Sequence, residues 1–172
     1  MQIAYTMTGP DVRIDPLLDQ FAQALAAQGM RLAGIVQANS ERADGAPCDM
    51  DVRVMPDGPE LRISQFRGKE ARGCRLDPSN FETAVGHVEA SLAVRPDLLI
   101  VNKFGKQEAA GRGMRGAIGT ALAMEVPVLV GLNGMNRAAF DAFTGGAAAA
   151  LQPTPDALMR WWDGCRDRAD VA

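Results

Sequence analysis

The chain predicts an α/β three-layer sandwich with a mainly parallel central sheet and an antiparallel hairpin added to it. Strand and helix patterns alternate along its 172 residues, the signature of βα units. Two runs, residues 98–102 (Leu-Leu-Ile-Val-Asn) and 127–131 (Pro-Val-Leu-Val-Gly), are continuously apolar rather than alternating. Strands of that kind are covered on both faces. Three stretches, Asp15-Pro16, Asp77-Pro78 and Thr154-Pro155, repeat a capping residue followed by proline, which opens a helix.

The elements follow in order. Residues 2–6 read as a buried strand, and Gly9-Pro10 as a turn. Asp15 is expected to cap a helix from Pro16 to about Gln28, with Leu17, Phe21, Ala24 and Leu25 on one stripe and Gly29 as its stop. Residues 31–37 form a strand and residues 38–47 a polar loop. Residues 49–55 and 60–64 alternate apolar and polar around Pro56-Asp57-Gly58-Pro59, a hairpin with one wet face. A glycine-containing basic loop, 65–76, precedes a helix from Pro78 to about Val94 on the stripe Phe81, Val85, Val88 and Leu92. After the strand at 98–102 come a loop, 103–113, a helix to about Glu125 and the strand at 127–131. A helix at 136–143, a short strand at 147–151 and a helix from Pro155, docked by Trp161 and Trp162, close a single domain spanning residues 1–172.

Composition narrows the function classes. Net charge is −3 and aromatics are 5%, which argues against a nucleic-acid partner. No apolar run approaches the ~20 residues that span a bilayer, and no basic-then-apolar leader opens the sequence. A cytoplasmic protein without membrane insertion is expected. Three widely spaced cysteines fit reduced thiols rather than a disulfide framework. The one histidine, His87, falls on the flank of a helix, which disfavours a Ser-His or Cys-His catalytic system.

Charge is concentrated in two segments. Residues 65–75 hold Arg67, Lys69, Arg72 and Arg75 against Glu70, and residues 103–115 hold Lys103, Lys106, Arg112 and Arg115 against Glu108. In parallel sheets the ligand sits beyond the carboxyl ends of the strands. The candidate binding set there is Gly9, Asn102, Lys103, Gly105, Lys106, Gln107 and Glu108, with Arg67, Arg72 and Arg75 on the basic loop. Guanidinium forks suit tetrahedral oxyanions and phosphates. The competing reading is a pair of solvated loops whose charges meet only the acidic body. Neither catalytic residues nor metal ligands are assigned, and no cofactor follows from the residues.

The first strand, loop and helix occupy the place of a P-loop. That motif ends in Gly-Lys-Ser/Thr because the lysine contacts phosphates and the hydroxyl holds magnesium. Here the stretch is Gly9-Pro10-Asp11-Val12-Arg13-Ile14-Asp15-Pro16. The element order and the string Gly105-Lys106-Gln107-Glu108 resemble small kinase-like P-loop nucleoside-triphosphatases. On that resemblance the lysine position falls at Asp15, the hydroxyl position at Pro16, and the strand-end acidic pair at Asn102-Lys103. The strings Cys48-Asp49-Met50, Ile63-Ser64-Gln65, Arg67-Gly68, 72–78 (Arg-Gly-Cys-Arg-Leu-Asp-Pro) and 99–108 (Leu-Ile-Val-Asn-Lys-Phe-Gly-Lys-Gln-Glu) are similar to a bacterial domain-of-unknown-function family encoded beside molybdate-transport genes. The two resemblances together imply a degenerate P-loop-like domain that binds an oxyanion or nucleotide without hydrolysis, in molybdenum homeostasis, with molybdate-transport components as partners. Two alternatives stay open. One is a divergent nucleoside-triphosphatase or phosphotransferase. The other is an interaction module without a small ligand, for which an ordered homo-oligomer would speak.

Overall fold

In a computed structural model, residues 2–9, 12–40, 48–65 and 75–169 are described. Seven strands form one sheet: β1 (Ile3–Met7), β2 (Leu32–Ser40), β3 (Asp49–Met55), β4 (Glu60–Arg62), β5 (Leu98–Phe104), β6 (Val128–Leu132) and β7 (Ala149–Leu151). Their order is β4-β3-β2-β5-β6-β1-β7. The five strands from β2 to β7 in that order are parallel. β3 and β4 add antiparallel beyond β2. The sheet is therefore mainly parallel, with the expected hairpin on one flank.

Six helices cover the two faces: α1 (Ile14–Ala27), α2 (Pro78–Leu92), α3 (Lys106–Ala109), α4 (Arg115–Ala123), α5 (Arg137–Thr144) and α6 (Pro155–Ala169). Alternate residues of each central strand enter opposite cores. Leu99 and Val101 pack with Phe81, Val85, Ile118 and Phe140 from α2, α4 and α5. Leu98 and Ile100 pack with Leu18, Phe21, Leu158 and Trp162 from α1 and α6. This double coverage is why the β5 and β6 segments are apolar without alternation.

Local chemistry explains most boundaries. Asp77 accepts from the Ser79 and Asn80 amides at 3.0 and 3.2 Å and caps α2. The Thr154 hydroxyl accepts from Ala157 N at 3.3 Å at the start of α6. Trp162 is 2% exposed and docks that helix. Gly34 is required where β2 passes β5. Its φ is +111°, and an added Cβ would lie 1.9 Å from the Ile100 carbonyl oxygen.

The start of α1 differs from expectation. Arg13 is its N-cap and offers no side-chain bond. Asp15 lies inside the first turn, and Pro16 is the third helical residue. Ile14 is 1% exposed, so burying it carries the helix back past the Asp-Pro pair. Proline is tolerated there because first-turn amides lack intrahelical acceptors anyway. β2 also runs past Gln37 into the segment expected as loop, since Asn39 and Ser40 pair with Met50 and Asp49 of β3.

Candidate functional site

A cleft of about 460 Å³ opens at the carboxyl ends of β2, β5 and β6. Its floor is apolar, from Met50, Ile63, Leu76 and Phe81. Its upper wall carries the amides of Gln37, Asn102, Gln107, Asn133 and Asn136, with Arg75, Lys103 and Lys106 as cations. Gln37, Asn102, Lys103 and Asn133 stand near or just past the carboxyl ends of β2, β5 and β6. The sheet thus delivers polar side chains to its rim while its centre stays dry.

Next to this cleft stands a closed polar network around Asp15. The Asp15 carboxylate lies 3.0 Å from Lys103 Nζ. It also accepts from Asn102 Nδ2 at 3.1 Å and from Asn39 Nδ2 at 3.0 Å. Gln37 Nε2 in turn donates to Asn39 Oδ1 at 2.9 Å. Asp15 and Asn102 are buried and Lys103 is half-buried. Three donor groups on one carboxylate use most of its acceptor capacity. Asp15 is thereby explained as the anchor of this network rather than as a helix cap.

Asn102 faces α1 in a row with Gly131 of β6 and Thr6 of β1. Its Nδ2 is committed to Asp15, which leaves Oδ1 buried and, among the described residues, without a partner, as is Thr6 Oγ1. Gly131 makes room for this arrangement. A Cβ there would meet Leu18 Cδ1 at 2.8 Å, Asn102 Oδ1 at 2.9 Å and Ile14 Cδ1 at 3.1 Å. The Asn102–Lys103 peptide is cis, and the β5–β6 register shifts between Asn102 and Phe104.

The string after β5 folds into the one-turn helix α3. Glu108 is 1% exposed and accepts from Gly105 N at 2.8 Å and Met114 N at 3.0 Å. Its side chain ties both ends of the loop together. It makes no pair with a lysine among the described residues. Burial pushes its carboxyl group above the ordinary value, against the lowering effect of those amide bonds. Arg112 donates to Gln107 Oε1 at 3.0 Å. Arg115 donates to the Glu108 carbonyl at 3.4 Å and lies over the Phe143 ring at 4.5 Å. Of the basic residues in this segment, Lys106 alone is exposed on the cleft with no ion pair among the described residues.

The candidate residues thus divide. Asn102, Lys103, Gly105, Lys106, Gln107, Glu108 and Arg75 line one cleft. Arg75 also donates to the Cys48 carbonyl at 2.7 Å. Gly9 is not among the lining residues; it shapes a turn in which Val12 N donates to its carbonyl at 3.4 Å. Arg67, Arg72 and Cys74 lie outside the described residues. Gln37, Asn133 and Asn136, and Asn39 behind them, were not singled out in sequence. Their signal was a polar residue at or just beyond the carboxyl end of a strand.

Among the described residues, the donors do not match those that hold a magnesium–triphosphate. On the resemblance to P-loop enzymes, the lysine and hydroxyl positions of α1 hold Asp15 and Pro16, and near the end of β5 Asn102 and Lys103 stand instead of two acids. No group of three or more His, Cys, Asp or Glu side chains able to hold a metal occurs among the described residues.

The architecture, a mainly parallel sheet between two helical layers, is nonetheless one seen in a solved structure. The solution structure of a human cancer-related nucleoside triphosphatase matches with a TM-score of 0.61 at 15% identity, over 99% of this chain and 97% of that one. The chain belongs to the family described as "Protein of unknown function (DUF2478)", whose model matches residues 3–161. It is also 35% identical over 161 residues to a molybdenum import ATP-binding protein, ModC 2, of Bradyrhizobium diazoefficiens. That match takes in 94% of this chain but only 18% of the relative's length. No helix among the described residues is long and apolar enough to cross a membrane.

Proposed function

We propose that this domain binds an oxyanion or nucleotide without hydrolysing it and serves as an accessory or regulatory factor in molybdenum homeostasis. The observation that carries this reading is the Asp15–Lys103 ion pair. On the resemblance to P-loop enzymes, Asp15 stands at the lysine position and Lys103 in the strand-end acidic pair. The two charges of the catalytic pattern are reversed and spent on each other. A triphosphate entering there would meet a carboxylate, and water activation would lack its acids.

The adjacent cleft keeps what binding needs. Lys106 offers a full positive charge, the amides offer orientation, and the apolar floor offers area for an organic body. The similarity to part of a molybdenum importer's ATP-binding protein supports the molybdenum setting and transport components as partners.

The test is calorimetry and thermal shift against ATP, GTP, molybdate, tungstate, sulfate and phosphate, each with magnesium and with EDTA. We expect at least one anion to stabilise the protein, by ~2.7 kcal/mol at a hundredfold excess over Kd. Chelator should leave that effect unchanged, and Lys106→Met should weaken it about tenfold. Tight nucleotide binding that needs magnesium, with phosphate release lost in Lys106→Ala, would replace this reading by that of a divergent nucleoside-triphosphatase.

A further inference from the structure

We propose that the cleft at the carboxyl ends of β2, β5 and β6 takes one class of ligand, a nitrogen heterocycle bearing one anionic group, and reads the ring with side-chain amides. This deepens the binding reading proposed for the cleft and rests on it.

The first observation is the state of those amides. Gln37, Gln107, Asn133 and Asn136 all line the cleft. Each is held by an internal bond through one half of its amide. Gln37 Nε2 donates to Asn39 Oδ1 at 2.9 Å, and Asn136 Nδ2 donates to Asn133 Oδ1 at 2.9 Å. Gln107 Oε1 accepts from Arg112 Nε at 3.0 Å. The other halves are the oxygens of Gln37 and Asn136 and the amino groups of Gln107 and Asn133. These meet no partner among the described residues, and none of them is sealed from solvent. The cleft thus holds two acceptors and two donors on side chains that are already oriented.

Strand register brings them to one place. β2, β5 and β6 are neighbours in the sheet. Gln37 lies two residues beyond Ile35, which pairs with Val101, and Asn133 lies one beyond Leu132, which pairs with Phe104. Two strand spacings, roughly 10 Å, separate these two strand ends. Lys106 and Gln107 follow β5, the strand between them. Gln37 also continues the row of Ala33 and Ile35, which belongs to the same core as Ile63 and Phe81 of the cleft floor.

These features select the ligand. A heterocycle has an apolar face for the floor of Met50, Ile63, Leu76 and Phe81, and an edge of donors and acceptors of the kind that asparagine and glutamine amides pair with. A bare tetrahedral oxyanion has no such face, and it cannot donate to the two free oxygens. Charge sets the rest. Lys103 is taken by Asp15, and Arg75 donates to the Cys48 carbonyl. Lys106 has no ion pair among the described residues and answers one anionic group.

The experiment is calorimetry in EDTA. AMP, GMP, CMP and UMP are compared with their nucleosides, which lack the anion, and with ribose 5-phosphate, phosphate and molybdate, which lack the ring. We expect at least one monophosphate to bind about tenfold more tightly than its nucleoside and than ribose 5-phosphate. Gln107→Met removes one donor from a partly exposed side chain. It should weaken that monophosphate about fivefold and leave ribose 5-phosphate unchanged. The ligand comparison in the parent decides the matter even where the variant fails to fold. If ribose 5-phosphate, phosphate or molybdate binds as tightly as the best monophosphate, or a folded Gln107→Met loses no affinity, the heterocycle is wrong while anion binding at the cleft stands. If none of these ligands binds, both readings fall.

Discussion

Asp15 and Lys103 lie 88 positions apart in sequence, yet their charged groups meet at 3.0 Å at the carboxyl end of the sheet. The pair links the first turn of α1 to the end of β5. Both side chains are largely shielded, at 12% and 27% exposure. Removing one partner therefore strands the other in a place where water replaces it poorly. We expect Asp15→Asn and Lys103→Met each to cost roughly 1–3 kcal/mol, with the double variant losing clearly less than the sum. Urea midpoints of the four proteins give the coupling, and strict additivity would mean the ions do not interact.

Glu108 makes stability depend on pH in a stated direction. Burial holds its carboxyl group above the ordinary value in the folded chain. The folded state keeps a proton that the unfolded chain, with a pKa of about 4.3, has released. Its contribution is complete below that value and is lost as pH rises through the folded-state value. In urea titrations between mildly acidic and neutral pH, stability of the parent relative to Glu108→Gln should fall as pH increases. A difference that rose with pH would contradict the assignment.

Gly131 and Gly119 should respond oppositely to alanine. At Gly131 a Cβ runs into Leu18, Ile14 and Asn102 Oδ1, and overpacking of that kind costs about 1–3 kcal/mol. Gly119 is exposed within α4, with nothing within 4 Å of an added Cβ. Alanine there should stabilise by about 0.5–1 kcal/mol through helix propensity. Thermal melts of the two variants make the comparison, and a neutral Gly131→Ala would show that the row of Thr6, Gly131 and Asn102 can relax.

Arg95→Gly and Glu125→Gly provide a further check. Left-handed geometry costs an L residue roughly 1–2 kcal/mol, and glycine's greater unfolded-state freedom returns part of it. A net gain of about 0.5–1 kcal/mol is expected from each in chemical denaturation. A loss of stability in either would mean that its side chain itself holds the fold together.

How far the sequence could be read followed from the range of the forces involved. α2 was legible because Asp77-Pro78 fixes its start locally and its apolar stripe is periodic. The start of α1 was misread because Asp15-Pro16 looks identical, and only the burial of Ile14 beneath the sheet decides otherwise. Lys103 read as an anion ligand since nothing near it in sequence reveals its distant partner. Lys106 and Gln107 came to the cleft as their place after an apolar strand implied. Gln37, Asn133 and Asn136 escaped notice because a lone amide after a strand carries no spacing signature.

The two flanks of the sheet end in strands of three residues each, β4 and β7. Each leaves a very short row of amides for a neighbouring polypeptide to pair with, and Glu60 and Arg62 add charge to one of them. Among the described residues, lateral growth by strand addition therefore has little template. Fibrillar stacking through the sheet is the mode of failure that these two short flanking strands resist.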